Sequence, residues 1–292
     1  MQSRANRARR LAVPALLLAP AFIFVIGVSA YPLGLAVWLS FTDAQVGEPG
    51  HFIGLGNYAY LLEQGTYADA LRNTAVYTGL STLIKAGLGL GMALALARSF
   101  PGRRLVYALL FLPLVFPVVI GTVAWYYLFS NVHGAINYLL LETHLVADSI
   151  AWLGLGPLPM ASLVTVNVWH GTALFGVLLL AALRSVPAEV LDAAAIDGAR
   201  PLRRFQHVVL PYLGSALALG TVLSVVGTFG DFAIVHLLTG GGPANETTIV
   251  STMAFQIALR DGALGVGTSV ALSIIPVYLA VLVYVVRVAG RR

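Results

Sequence analysis

Polar and ionisable side chains interrupt several long apolar stretches of this sequence. Lys85 and Asp231 each lie in such a stretch, and Asn167 and His170 lie three residues apart, on one face of a helix. An ionisable residue inside a membrane segment is by default a candidate for function. These side chains could line a solute path and bind hydroxyl groups. Alternatively they are structural, with Lys85 paired with Asp231 and His170 bonded to a neighbouring backbone.

Aromatic side chains accompany these polar residues. Phe229 and Phe232 flank Asp231, and Trp169 precedes His170. Aromatic rings could stack on the apolar face of a solute ring, or they could pack between helices. The candidate residues of a solute path are therefore Asn167, His170, Phe229, Asp231, Phe232 and His236.

The chain lacks the residue patterns that common catalytic and metal sites need. It contains no cysteine, and its six histidines form no His-Glu-x-x-His or comparable cluster, so no metal site is predicted. It has no Gly-x-Ser-x-Gly nucleophile elbow and no paired carboxylates at one end of the apolar segments. It also lacks the Gly-x-x-x-x-Gly-Lys-Ser/Thr phosphate loop. We therefore predict a non-catalytic chain that binds no cofactor.

The composition predicts an all-α membrane protein. The 292 residues are 59% hydrophobic and only 10% charged, whereas soluble domains have about 25% charged residues. A spanning helix needs about 20 apolar residues. Within the second such segment, Gly87-x-x-x-Gly91 could form a helix-packing face or reflect ordinary glycine content. The six predicted spans are Leu11–Leu39, Asn73–Ala97, Leu105–Phe129, Ala161–Leu183, Leu213–Leu238 and Leu264–Val288.

The distribution of charge predicts the orientation of these spans. Fourteen of the 17 basic residues lie before the first span, in alternate connections, or at the end of the sixth. Because basic residues accumulate in the cytoplasm, both termini are predicted to be cytoplasmic. The first apolar segment is about twice as long as the core of a signal peptide and is expected to remain uncleaved. A cytoplasmic tail 1–10 thus precedes one transmembrane domain, 11–292, with a cytoplasmic loop 185–211 and outer loops at about 40–72, 130–160 and 239–263.

A polar segment, VPAEVLDAAAIDGARPLRRFQHVVLPY, separates the fourth and fifth spans. Ser185 is a candidate N-cap and Pro187 a first-turn proline, while Gly198 can end the helix and Pro201 can open a second one. The first helix carries acids and no base, so anionic lipid headgroups would not attract it. A docking element for a protein partner is the favoured interpretation, and a helix that rests on headgroups is the alternative.

The same segment resembles the "EAA" loop of permeases of ATP-binding-cassette (ABC) importers. That pattern has Glu-Ala-Ala, then Ile-Asp-Gly-Ala, then Leu-Pro about a dozen residues later. The matching residues here are Asp192-Ala193-Ala194, Ile196-Asp197-Gly198-Ala199 and Leu210-Pro211. The one departure is Asp192 in place of Glu, which keeps the charge but shortens the side chain.

Two outer stretches narrow the resemblance to carbohydrate importers. FIGLGNYAYLL (Phe52–Leu62) is similar to the Gly-Leu-x-Asn-Tyr motif of sugar permeases. DFAIVHLLTGGGP (Asp231–Pro243) is similar to the Leu-Thr-x-Gly-Gly-Pro motif of the first permease in maltose and glycerol-phosphate importers. Together with the loop, these motifs extend over most of the chain after residue 52.

The resemblance implies a type I ABC importer permease fold in a bacterial or archaeal plasma membrane. The implied partners are a second homologous permease, two ATPase subunits that bind ATP and Mg, and an extracytoplasmic solute-binding protein, besides membrane lipid and without nucleic acid. The chain would form half of a path for a sugar, oligosaccharide or sugar phosphate. The implied ATPase-coupling residues are Glu189, Asp192, Ala193, Ala194, Ile196, Asp197, Gly198, Ala199 and Pro211.

Two other classes of membrane protein remain as alternatives. An ion-gradient-driven carrier usually has internal repeats over more spans, or broken helices in matching positions. A membrane enzyme would need a catalytic constellation, and the residue patterns above do not supply one. Six spans with an acidic cytoplasmic helix fit both classes less well than a permease.

Overall fold

The computed structural model describes residues 2–154 and 156–289, and within these ranges the chain is helical without β-strands. The C-terminal Arg291 and Arg292 lie outside the described residues. The helices are α1 (Gln2–Ser40), α2 (Gly56–Glu63), α3 (Gly65–Ala97), α4 (Arg103–Val115), α5 (Val118–Leu128), α6 (Ala135–Glu142), α7 (Leu158–Arg184), α8 (Ala188–Ile196), α9 (Pro201–Arg204), α10 (Leu210–Phe229), α11 (Ala233–Leu238), α12 (Val250–Phe255), α13 (Leu264–Leu272) and α14 (Ile275–Ala289), with π-helical turns at Phe205–Val209 and Gln256–Arg260.

The predicted membrane spans correspond to the long apolar helices, which confirms the all-α membrane fold. Five helical segments of the described ranges are long and apolar enough to cross a membrane, and a bent pair, α4 with α5, makes a sixth. The five are Leu17–Ser40, Gly65–Ala97, Leu158–Arg184, Pro201–Phe229 and Leu264–Val281. The described part of α1 starts at Gln2, so residues 2–10 of the predicted tail are continuous with the first span.

The predicted third span, Leu105–Phe129, is bent. The helices α4 and α5 meet at 103° across a two-residue break. Pro117 offers no N–H to a helix and disfavours helical geometry at the residue before it. Phe116 is accordingly extended, with φ −70° and ψ 130°. The segment therefore consists of two helices joined by a sharp bend rather than one straight helix.

The predicted fifth and sixth spans also contain breaks. The helix α10 ends at Phe229, and α11 begins only at Ala233, so the predicted span Leu213–Leu238 is two helices. The carboxylate of Asp231 accepts a hydrogen bond from the backbone N–H of Ile234 at 3.2 Å and caps the start of α11. Within the sixth span, α13 and α14 are separated before Pro276.

The bundle centre is the close contact of α3 with α7. A Cβ added at Gly89 would collide with the Cβ of Phe175 and lie 3.1 Å from the backbone nitrogen of Gly176. By contrast, a Cβ at Gly87 or Gly91 would meet nothing within 4 Å. The Gly87-x-x-x-Gly91 motif is therefore not a packing face between the described helices of this chain. Small residues permit close helix approach at Gly89 instead.

The two outer motifs have local structural roles. The side-chain amide of Asn57 donates hydrogen bonds to the carbonyls of Ser40 at 2.9 Å and Thr42 at 2.7 Å, where α1 ends. In the other motif, Gly241 has φ +91°, and an added Cβ would lie 2.5 Å from the Thr248 hydroxyl. Positive φ together with this close approach explains the need for glycine.

Candidate functional site

A buried polar network joins α3, α7 and the end of α10. The Lys85 amine donates to Asn167 Oδ1 at 2.8 Å and to Thr228 Oγ1 at 2.8 Å. Lys85 is only 3% exposed. A buried amine is stable only when its hydrogen-bonding capacity is used, and these two acceptors supply most of it.

Asp231 completes the network from the break between α10 and α11. Its Oδ2 accepts hydrogen bonds from the Tyr77 hydroxyl at 2.7 Å and from Asn167 Nδ2 at 3.0 Å. No salt bridge joins Lys85 to Asp231 among the described residues. The direct Lys85–Asp231 pair was one of the alternatives that the sequence left open; in the structure Asn167 lies between the two charged groups and bonds to both.

A small cavity lies against this network. Its volume is about 230 Å³, which is less than the about 300–1,000 Å³ typical of small-molecule sites. A Cβ on Gly171 would lie 2.6 Å from Lys85 Cδ, so this glycine makes room for the lysine stem. The polar lining residues are Lys85, Asn167, His170, Ser224, Thr228 and Asp231.

The structure brings together only part of the predicted solute path. Asn167, His170 and Asp231 line the cavity. Phe229 instead belongs to a buried cluster, where its ring packs edge-on against Tyr278 with centroids 5.5 Å apart. The ring of Trp169 packs in the same manner against Trp125, at 5.9 Å. Packing between helices is therefore the observed role of these two aromatic residues.

Phe232, just before α11, and His236 of α11 form a separate aromatic cluster. Their rings stack with centroids 4.7 Å apart and an interplanar angle of 17°. Phe255 of α12 lies 4.7 Å from Phe232 and 5.2 Å from His236. His236 is exposed, and Phe232 and Phe255 are half-buried.

Tyr77 and Thr228 were not recognised from the sequence. A tyrosine and a threonine are common in apolar helices, so their residue types did not indicate a place in a polar network. Their positions carried a weak signal. Thr228 lies three residues before Asp231, and Tyr77 lies eight residues before Lys85, so each is close in sequence to a charged residue, although Thr228 bonds to Lys85 and Tyr77 to Asp231.

The polar loop after α7 contains the predicted helix, with two corrections at its start. Helix α8 runs over Ala188–Ile196, and Pro187 is its N-cap residue. Ser185 is not an N-cap, because its hydroxyl donates to the Ala182 carbonyl at 2.7 Å and closes the end of α7. Pro187 is extended, with φ −63° and ψ 136°, so it lies just outside the first turn.

The end of α8 is a Schellman motif. Gly198 has φ +74° and donates its N–H to the Ala195 carbonyl at 3.1 Å. The N–H of Ala199 bonds to the Ala194 carbonyl at 3.0 Å. These two bonds and the left-handed glycine define this helix terminus, as the sequence predicted for Gly198.

Most of the surface of α8 is exposed within the described parts of the chain, and only Val190, Leu191 and Ala194 are half-buried. None of its residues is buried, and Ile196 is 87% exposed. Glu189, Asp192 and Asp197 are exposed as well, and none of them forms a salt bridge with a described residue. An acidic helix with one large exposed apolar side chain suits a protein groove.

The second half of the loop leads into α10 without a gap. Pro201 opens α9, the π-helical turn Phe205–Val209 follows, and α10 begins at Leu210. Leu210 donates its N–H to the Phe205 carbonyl, which is the π-type bond. Pro211 lies in the first turn of α10, as predicted, but the helical path extends back to Pro201.

These features define a multi-span membrane subunit with an exposed acidic helix between its fourth and fifth spans. The chain belongs to the family described as "Binding-protein-dependent transport system inner membrane component", which matches residues 87–291. The sequence resemblance to importer permeases is thereby confirmed.

Relatives and a solved structure agree with this assignment. The chain is 33% identical over 269 residues to the trehalose transport system permease protein SugA of Mycobacterium tuberculosis, covering 91% of this chain and 84% of the relative. It is 29% identical over 267 residues to the sn-glycerol-3-phosphate transport system permease protein UgpA of Agrobacterium fabrum, covering 90% and 89%. A crystallised bacterial ABC transporter that imports alginate has the same fold, with TM-score 0.83, 20% identity and 99% of both chains covered.

Proposed function

We propose that this chain is a permease subunit of an ATP-driven carbohydrate importer. The named relatives transport trehalose and sn-glycerol-3-phosphate, and the motifs of the coupling loop and of both outer stretches support the same class. The solute is expected to be a sugar, an oligosaccharide or a sugar phosphate. The chain itself is expected to bind no cofactor and to carry out no chemical step.

The observation that best supports coupling is that one loop connects the two helices that hold the polar network. Asn167 belongs to α7 and Thr228 to α10, and the loop with α8 joins the end of α7 to the start of α10. About 25 Å of helix separates Asn167 from that loop. A displacement of α8 would therefore move both helices, and with them two of the groups that bond Lys85.

Because both ends of α8 are fixed, the helix is suited to transmit a movement of a bound ATPase to α7 and α10. Pro187 restricts its start, and the Schellman motif at Gly198 fixes its end. We propose that a groove in an ATPase subunit holds this helix through Ile196 and the carboxylates of Asp192 and Asp197. ATP and Mg would bind in that partner, and closure of the ATPase pair would pull on α8.

The cavity beside Lys85 is proposed to be part of the solute path in a closed state. Its amide, hydroxyl and carboxylate groups are hydrogen-bonding partners for sugar hydroxyls, and its apolar wall can contact a ring face. Its present volume is small. Separation of α7 from α10 would enlarge it and break the bonds between Asn167, Thr228 and Lys85.

The remaining partners follow from the same proposal. A second permease would complete the path, and an extracytoplasmic binding protein would deliver the solute. The exposed apolar side chains of α1, such as Leu17 at 75% and Ile23 at 72%, would contact lipid or the second permease in a bacterial or archaeal plasma membrane.

Reconstitution tests the proposal directly. The chain, its second permease and two ATPases are placed in vesicles with the binding protein, and uptake of radiolabelled sugars is measured with ATP. ATP-dependent uptake of at least one carbohydrate, absent when the ATPases are omitted, is expected. Uptake by this chain alone under an ion gradient would instead identify a secondary carrier, and chemical conversion of the sugar would identify an enzyme.

A further inference from the structure

A basic cavity lies where α4 begins and α7 ends, on the side of the coupling loop. Its volume is about 820 Å³, and it is lined by the side chains of Arg103, Arg104 and Arg184. The same cavity also has apolar walls, formed by Phe100, Leu105 and Tyr107. No acidic residue of the described chain belongs to this lining.

The three guanidinium groups have no anionic partner in the described chain. The salt bridges found there join His51 to Asp43 and Arg72 to Asp69. Three cationic residues that line one cavity repel one another unless an anion lies between them. Guanidinium groups bind phosphate oxygens in bidentate geometry.

An apolar stripe continues from this cavity along α4. Leu105, Leu109 and Leu112 are 65%, 60% and 49% exposed. They follow the i, i+4, i+7 spacing of one helical face. A cationic cavity that opens onto an apolar stripe matches the two parts of a phospholipid, since the headgroup would occupy the cavity and an acyl chain would lie on the stripe. A free phosphate has no apolar part that could contact the stripe.

From this juxtaposition we propose that Arg103, Arg104 and Arg184 bind the headgroup phosphate of an anionic phospholipid. Basic pockets at the cytoplasmic ends of membrane helices are suited to such lipids. The bound lipid would link the start of α4 to the end of α7, one residue before the coupling loop begins at 185. The proposal concerns a lipid site and does not depend on which solute is carried.

The preference for anionic lipid can be measured with spin-labelled lipids. The full importer is placed in phosphatidylcholine nanodiscs with a trace of spin-labelled phosphatidylglycerol or phosphatidylcholine, and the immobilised fraction is read by electron paramagnetic resonance. The test variant is Arg103→Gln/Arg104→Gln/Arg184→Gln. The matched control, Arg72→Gln/Arg260→Gln/Arg287→Gln, removes the same charge away from the cavity.

The wild type and the control are expected to immobilise phosphatidylglycerol in preference to phosphatidylcholine. Because one basic residue near an anionic surface changes affinity about fivefold, the triple variant should lose most of this preference. Size-exclusion profile and recovery of the partner subunits verify that the variant is folded. Addition of inorganic phosphate should not displace the labelled lipid, since the acyl chain also binds.

Three results would overturn the proposal. The first is an unchanged lipid preference in the triple variant. The second is displacement of the lipid by millimolar inorganic phosphate, which would indicate a free-phosphate site. The third is a wild type without lipid preference whose triple variant loses the ATPase subunits, which would assign these arginines to a protein interface.

Discussion

Asn167 bonds to both Lys85 and Asp231 and thereby separates them. Its Oδ1 accepts a hydrogen bond from the lysine amine at 2.8 Å, and its Nδ2 donates to the aspartate carboxylate at 3.0 Å. Neither charged residue could take this position, because an amine only donates and a carboxylate only accepts. The amide thus satisfies two opposite charges at once and ties α3 and α7 to the break after α10.

Replacement of Asn167 by Leu should destabilise the permease and slow transport. The change leaves the Lys85 amine short of an acceptor and Asp231 short of a donor, and each unsatisfied buried group costs about 1–3 kcal/mol. We expect a lower melting temperature of the purified importer and a loss of most ATP-dependent uptake. Thr165→Val is the control, since Thr165 is exposed and its hydroxyl donates to the Ala161 carbonyl of its own helix. Equal melting temperature and uptake in both variants would contradict this role.

Glycine at position 89 should be much less replaceable than glycine at position 87. Gly89→Val places side-chain atoms against Phe175 and the backbone of Gly176, whereas Gly87→Val meets open space. Overpacking costs about 1–3 kcal/mol. Melting temperatures of the two variants, measured in the same detergent, should differ by several degrees, with Gly89→Val the less stable. Equal losses would argue against the observed contact of α3 with α7.

Gly198→Val should uncouple ATP hydrolysis from transport while the chain still enters the membrane. A β-branched residue is strongly disfavoured at φ +74°, so the Schellman motif would open and α8 would lose its fixed end. We expect normal membrane levels and at least a tenfold loss of ATP-dependent uptake. Gly198→Asn is the matched control, because asparagine tolerates the left-handed conformation. Wild-type uptake by the valine variant would remove α8 from the coupling mechanism.

Charge reversal on α8 should weaken binding of the ATPase subunits. Asp192→Arg and Asp197→Arg place a cation where an exposed carboxylate is proposed to meet the partner, and like-charge contacts disfavour association. Co-purification of the ATPases is expected to fall, with a stronger effect at low salt. Glu246→Arg is the control, because Glu246 is exposed and lies outside the coupling loop. Unchanged recovery of the ATPases with both reversals would contradict the proposed interface.

The spans could be predicted from apolar length, but their breaks could not be read from proline alone. The helix α1 continues through Pro14, Pro20 and Pro32, whereas the chain turns by 103° at Pro117. Membrane helices tolerate proline where neighbouring groups satisfy the freed backbone. The outcome therefore depends on tertiary packing, which the sequence does not specify. The orientation of both termini in the membrane stays a prediction.

Most members of the polar network could be identified from the sequence, but which of them bond to each other could not. Lys85, Asn167 and Asp231 stood out because polar groups are rare in apolar helices. Which of them would meet depended on the rotation of each helix about its axis. Phe229 and Phe232 illustrate the same limit. They lie only three residues apart, yet the helix break at Gly230 places one in a buried cluster and the other beside His236.

Because Lys85 is buried, the chain offers amine-directed reagents only a protected lysine side chain. It is the only lysine in 292 residues, and its amine is hidden at the wall of the cavity. Acylating reagents will therefore find a single lysine side chain, and their access to it should increase when α3, α7 and α10 separate. The rate of acylation of Lys85 would therefore report how often these helices separate, without any engineered label.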